Sequence, residues 1–252
     1  MVDMCEKENA GETLITPASS DLTPLGDPAE QAKVFEDSIR TNDWQAQFIA
    51  ITGLRALALF HAKDAEIATS LRTCLATIVS LVNSLRSQLA KNAILCIADM
   101  FAKFEIFFSE DPSSLRSVLK VLLTKACQEK KFIREEAQKA LEIAASSRGN
   151  DMVLMCLLEL TAEKNPHMVA KIASCTERCL QEMNGQLDSF PDVPRLVAAV
   201  VQFVQGKVAE TRTSGKSCLG ILVESLGREE LVKQLTEVSP SNVRLALTII
   251  DS

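Results

Sequence analysis

Two small residues three positions apart recur five times in this chain: Ala50 and Gly53, Ala90 and Ala93, Ala137 and Ala140, Ala170 and Ala173, Gly215 and Cys218. Their first members are separated by 40, 47, 33 and 45 residues. A pair of small side chains on one helical turn lets a second helix cross closely. Its recurrence at intervals of about 40–47 residues is the signature of a solenoid of stacked helix pairs. Nothing else in the sequence limits the fold so strongly, because each repeat must bury its apolar face against the next.

Helical periodicity fills the intervals. Ile67, Leu71, Leu75, Ile78 and Val82 form one stripe at i, i+3, i+4 and i+7 spacing, and Leu89, Ala93, Ile97, Phe101 and Phe104 form another. Asp27-Pro28, Asp111-Pro112 and Asn165-Pro166 each place a capping side chain before a proline at the first helical position. The expected helix pairs run 28–40 with 44–61, 63–82 with 85–108, and 112–128 with 132–147. They continue with 150–163 and 166–184, 192–206 and 211–226, and a shorter 228–236 and 241–251. Leu, Ala, Ile and Val dominate, Tyr is absent, and nine glycines in 252 residues are too few for a turn-rich β protein. The expected fold is all-α, a right-handed α-solenoid of about six HEAT or armadillo-like pairs. It should form one domain over residues 28–252, preceded by a disordered tail over 1–27.

A net charge of −6 opposes general nucleic-acid binding. No apolar run reaches the roughly 18–20 residues that cross a bilayer, and no secretory leader is visible, so a cytoplasmic protein without membrane or nucleic-acid partners is expected. Most of the eight cysteines sit inside apolar helical stretches and none forms a CxxC pair. They read as small core residues in a reducing compartment. Cys175 and Cys179 share a helix face, with His167 two turns earlier, yet no third or fourth ligand is evident, so no metal is expected. Thr213-Ser214-Gly215-Lys216-Ser217 echoes a phosphate loop without its upstream glycine or strand. Neither a catalytic constellation nor a cofactor motif is present, and a binding protein is expected.

In a solenoid of pairs the turns within the pairs emerge along one edge. Here those turns carry Trp44, the sole tryptophan, then Arg86, then Lys130, Lys131 and Arg134, then Lys164 with Lys171, then Arg212 and Lys216, and finally Arg244. Cations at helix N-termini oppose the helix dipole. A row of them on an acidic protein therefore reads either as a solvated face or as a surface for an acidic partner. Trp44 opens a helix after three polar residues, so it is either a staple to the core or an exposed anchor.

At this point the turns resemble a known family. Asp43-Trp44 followed by Gly53-Leu54-Arg55-Ala56-Leu57 looks like the first repeat of TOG domains. Ser84-Leu85-Arg86-Ser87-Gln88-Leu89, running on to Cys96-Ile97-Ala98-Asp99-Met100-Phe101, is similar to the second repeat of CLASP and of the crescerin (TOGARAM) proteins of cilia. Lys131-Phe132-Ile133-Arg134-Glu135-Glu136-Ala137 resembles their third. The likeness covers about residues 28–250. It implies that the turns grip the αβ-tubulin heterodimer: Trp44 on β-tubulin with Arg86 beside it, and Lys131, Arg134, Arg212 and Lys216 supplying charge further along. The fourth turn, Asn165-Pro166-His167, has no family counterpart, and Leu85 is larger than the pattern asks. The resemblance thus implies a monomeric, microtubule-associated protein, of cytoplasm or of a cilium or flagellum; the alternative is a HEAT scaffold for another protein, without tubulin.

Overall fold

A computed structural model describes residues 14–103, 111–147, 150–184, 186–187, 190–238 and 240–251. Its described residues form twelve α-helices: α1 (Pro28–Ile39), α2 (Trp44–Phe60), α3 (Ala65–Leu81), α4 (Ser87–Lys103), α5 (Pro112–Ala126) and α6 (Lys131–Ser146). They continue with α7 (Asn150–Glu159), α8 (Pro166–Glu182), α9 (Val193–Val204), α10 (Ala209–Leu226), α11 (Arg228–Val238) and α12 (Val243–Ile250). Odd-numbered helices stack in one layer and even-numbered helices in the other: α1 on α3, α3 on α5, and α2 on α4, α4 on α6, α6 on α8, α8 on α10. This is the expected all-α solenoid of six helix pairs.

The caps fall where the sequence places them. Asp27, Asp111 and Asn165 each accept backbone N–H groups of the following turn, with proline just inside the helix. Asp43 does the same for α2 through the Gln45 N–H at 2.9 Å. All ten members of the small-residue pairs are buried. At Gly215 the reason is backbone: a Cβ there would lie 2.6 Å from the Val204 nitrogen of α9. The α3 stripe is buried throughout, as is the α4 stripe as far as Phe101. Phe104 lies outside the described residues.

One boundary differs from expectation. The tail through residue 27 was expected to be disordered, but residues 14–27 form an ordered strap, with a single 3-10 turn at Ser19–Asp21. Residues 1–13 lie outside the described residues. Leu14 and Leu25 pack on the core, and Thr16 is buried, its hydroxyl donating to Gln88 at the start of α4 at 2.8 Å. The strap is held by a buried charge whose hydrogen bonds the helices alone would leave incomplete. Arg55 of α2 is fully buried. Its Nε donates to Asp99 of α4 at 2.8 Å, and its Nη1 donates to the Pro17 carbonyl at 2.8 Å and to Asn92 Oδ1 at 3.0 Å. Ser19 completes the set, accepting from Nη2 at 3.0 Å and donating to Asp99 Oδ1 at 2.7 Å. Such a charge is tolerable inside a protein only when paired and fully hydrogen-bonded. The strap thus touches both α2, which begins at Trp44, and α4, which Arg86 immediately precedes.

A candidate docking edge

Side chains of neighbouring turns meet along this edge. Arg86 stacks over the Trp44 ring, with its guanidinium carbon 4.5 Å from the centroid. Lys130 donates to Ser87 Oγ at 3.2 Å, tying the third turn to the second. Lys171 of α8 pairs with Glu210 at the start of α10 at 3.1 Å. Both act on Cys127 at the end of α5, whose thiol is pushed up chiefly by burial. Contacts thus join the first turn to the second, the second to the third, and the fourth repeat to the fifth.

The six expected binding residues differ in how free they are. Trp44 is half-buried: it packs on the core and carries Arg86 on its ring, which joins the staple and anchor readings in one residue. The Arg86 side chain is exposed, and its backbone N–H donates to Ser84 Oγ at 3.2 Å. Lys131 is exposed and faces Glu135 one helical turn away at 3.7 Å, an arrangement worth little in water.

Arg134 and Arg212 share a second duty. Each is the fourth residue of its helix, and each bends back on its own turn. Arg134 Nη1 donates to the carbonyls of Gln128 and Glu129 at 3.0 and 3.3 Å. Arg212 Nη1 donates to those of Gly206 and Lys207 at 2.9 and 3.0 Å. Gln47, fourth residue of α2, reaches the Thr41 carbonyl at 2.7 Å in the same way. The N-cap residues Lys130 and Val208 supply no side-chain cap. The arginine therefore brings those two turns into register, at some expense to its freedom toward a partner. Lys216, one turn beyond Arg212, is exposed and has no ion-pair partner among the described residues.

The edge also carries groups that sequence reasoning passed over. Leu85 is 97% exposed and Phe132 is 41% exposed, so apolar surface alternates with charge. Lys125 is nearly buried in the last turn of α5. Its only sequence signal is a lysine next to the apolar run Leu122, Leu123 and Ala126. Cys175 and Cys179 are buried in α8, where desolvation pushes the Cys175 thiol up to about 12, whereas His167 is exposed. Among the described residues no three His, Cys, Asp or Glu side chains are grouped to hold a metal, and no helix is long and apolar enough to cross a membrane.

Comparison with known proteins agrees with this architecture. The "TOG array regulator of axonemal microtubules protein 1" of Mus musculus is 25% identical over 234 residues, 88% of this chain. The chain spans only 12% of that relative's length. Among solved structures, the TOG domain of C. elegans Zyg9 superposes with a TM-score of 0.62 at 14% identity, covering 87% of this chain and 80% of that one. The MAST/Orbit N-terminal domain superposes with a TM-score of 0.60 at 12% identity, covering 91% and 97%. The CLASP N-terminal family model matches residues 27–184, more than half of the chain, and the protein belongs to that family, as a TOG domain of the CLASP and TOGARAM type.

Proposed function

We propose that the protein binds the αβ-tubulin heterodimer through its row of turns, as a microtubule-associated TOG domain of cytoplasm or cilium, acting by binding and not by catalysis. The observation that carries this reading is the Trp44–Arg86 stack at the head of the row. A large aromatic packed on a rigid core and covered by a guanidinium presents a preorganised anchor with charge beside it. Behind it lie exposed cations at Lys131, Arg212 and Lys216, with the exposed apolar Leu85 next to Arg86 and Phe132 next to Lys131. Arg134 would steady the third turn and contribute charge from there. The name of the mouse relative supports microtubules as the setting and an axoneme as the place. A monomer binding one heterodimer is the expected stoichiometry, because one edge carries one Trp44.

The test is a titration of soluble tubulin, by size exclusion and fluorescence anisotropy, against the wild-type chain, Arg86→Glu and Trp44→Ala. The wild type should form a 1:1 complex that weakens with salt, because exposed charges act through screened attraction. Trp44→Ala should lose on the order of 2 kcal/mol of affinity, and Arg86→Glu should bind at least several-fold more weakly. A wild-type chain that leaves tubulin free at tens of micromolar rejects the proposal in favour of a scaffold for another protein.

A further inference from the structure

We infer that the cleft between the second and third turns is an acceptor site for a single acidic side chain, a Glu or Asp of the docked partner, with Lys125 at its floor and Lys130 at its wall. The inference rests on the turn edge being the docking face.

The cleft encloses about 390 Å³, and at about 30 Å³ per water this is room for on the order of a dozen waters. It lies under the exposed Leu85 and is lined by Ser84, Ser87, Lys125, Glu129 and Lys130. Lys125 is only 8% exposed. Among the described residues its ammonium has neither a hydrogen-bond acceptor nor a carboxylate partner. Every other nearly buried cation in the described chain is answered: Arg55, the only comparable one, has Asp99. Burial, and then the Lys130 ammonium, hold the Lys125 amine below the usual lysine range. Two like charges lining one cleft disfavour each other, and a carboxylate between them would relieve that repulsion.

The hydroxyls point to the same ligand chemistry. Ser84 Oγ accepts from the Arg86 N–H at 3.2 Å and Ser87 Oγ accepts from Lys130 Nζ at 3.2 Å, which leaves each hydroxyl proton free to be donated. The cleft is thus rich in donors. Glu129 at the rim favours a singly charged guest over a phosphate dianion. A structural role competes: a lysine in the last turn of a helix also complements the dipole. The two roles part company under substitution. The Lys125 stem is nearly buried while its ammonium opens onto the cleft without a partner, so Lys125→Met, which keeps the apolar stem, should melt near or above the wild type while binding less tightly.

Two arms decide. In the first, Lys125→Met and the wild type are titrated with tubulin, with Arg86→Glu alongside. The expected result is about a tenfold weaker complex for Lys125→Met at an unchanged or raised melting temperature. If Lys125→Met binds tubulin as the wild type does while Arg86→Glu is weakened, the edge reading stands and the cleft is overturned. A lowered melting temperature with unchanged affinity likewise shows that Lys125 merely complements α5. In the second arm the wild-type chain, carrying 13Cε-lysine, is titrated with an acetylated tetraglutamate amide and followed by NMR. The Lys125 and Lys130 signals should move saturably while that of Lys216 stays. If the wild type binds no tubulin, the proposed function falls and this arm alone decides: a saturable Lys125 shift upholds the acceptor site, and a static signal overturns it.

Discussion

Asp99→Ala is the most severe single test of how the strap is held. The substitution removes the only carboxylate facing Arg55, a guanidinium with no exposure to solvent. Three neutral acceptors remain, the Pro17 carbonyl, Asn92 Oδ1 and Ser19 Oγ, but none carries charge. Removing one partner of a buried pair costs about 3–5 kcal/mol, a large share of the roughly 5–15 kcal/mol that holds a domain together. At about 2–4 °C per kcal/mol for a domain of this size, the melting temperature should fall by about 6–20 °C. Ser19 loses its Oδ1 acceptor in the same event. The strap should then loosen, and a protease should cut between residues 14 and 27 before it attacks the helices. Urea denaturation and limited proteolysis measure both effects. The companion Arg55→Met/Asp99→Leu removes both charges and should recover most of the loss. A loss below about 1 kcal/mol for Asp99→Ala, or a strap equally protected in mutant and wild type, would refute the view that this pair ties the strap to α2 and α4.

Three further outcomes follow from particular contacts. Gly215→Ala drives a Cβ into the α9 backbone at 2.6 Å and should cost about 1–3 kcal/mol, whereas Gly220→Ala in the same helix meets nothing within 4 Å and should gain about 0.5–1 kcal/mol; equal unfolding midpoints would show that α9 yields. Arg134→Met gives up two carbonyl contacts and should lose about 1–2 kcal/mol, while Lys131→Met on the same edge should change stability by less than about 0.5 kcal/mol; denaturation curves that coincide would remove Arg134 from its turn-holding role. The Asp111 carboxyl is held down to about 2 by the Ser114 and Ser113 hydroxyls and their N–H groups. A depressed carboxyl stabilises the fold above its unfolded value of about 3.9 and loses that effect as pH falls toward the folded value. NMR should find its midpoint near 2, and a midpoint near 4 would mean that the α5 cap is open.

The architecture was legible because a helix pair announces itself twice, once in its apolar stripe and once in the small residues at its crossing. Both signals are local and periodic, and residues such as Ala137 and Ala140 end up buried for the reason their spacing suggests. The strap escaped because an extended segment has no period to detect. Leu14, Leu22 and Leu25 are scattered among Pro, Ser and Asp, the composition of a solvated tail. What orders it lies elsewhere in the chain, in Arg55 set within Leu54, Ala56 and Leu57. A charge at the centre of an apolar helical run must find its partners in three dimensions, and here two of its hydrogen-bond acceptors come from the supposed tail while the counter-charge is Asp99 of α4.

The edge was legible in part for the same reason. Helix starts are easy to find, so the sequence alone assigns Trp44, Arg86, Lys131 and Arg212 to the turns within the pairs. What their side chains do there depends on neighbours from other repeats. Arg134 and Arg212 look alike in sequence to any surface arginine, yet each has one nitrogen occupied by its own turn. Lys125 and Arg55 pose the sharper comparison, as both are cations against apolar neighbours and both are nearly buried. Arg55 meets Asp99 and four hydrogen bonds close around its guanidinium. Lys125 has no carboxylate partner among the described residues and borders a cleft that it shares with Lys130. The same kind of residue is structural where the fold supplies its counter-charge, and a candidate for binding where it does not.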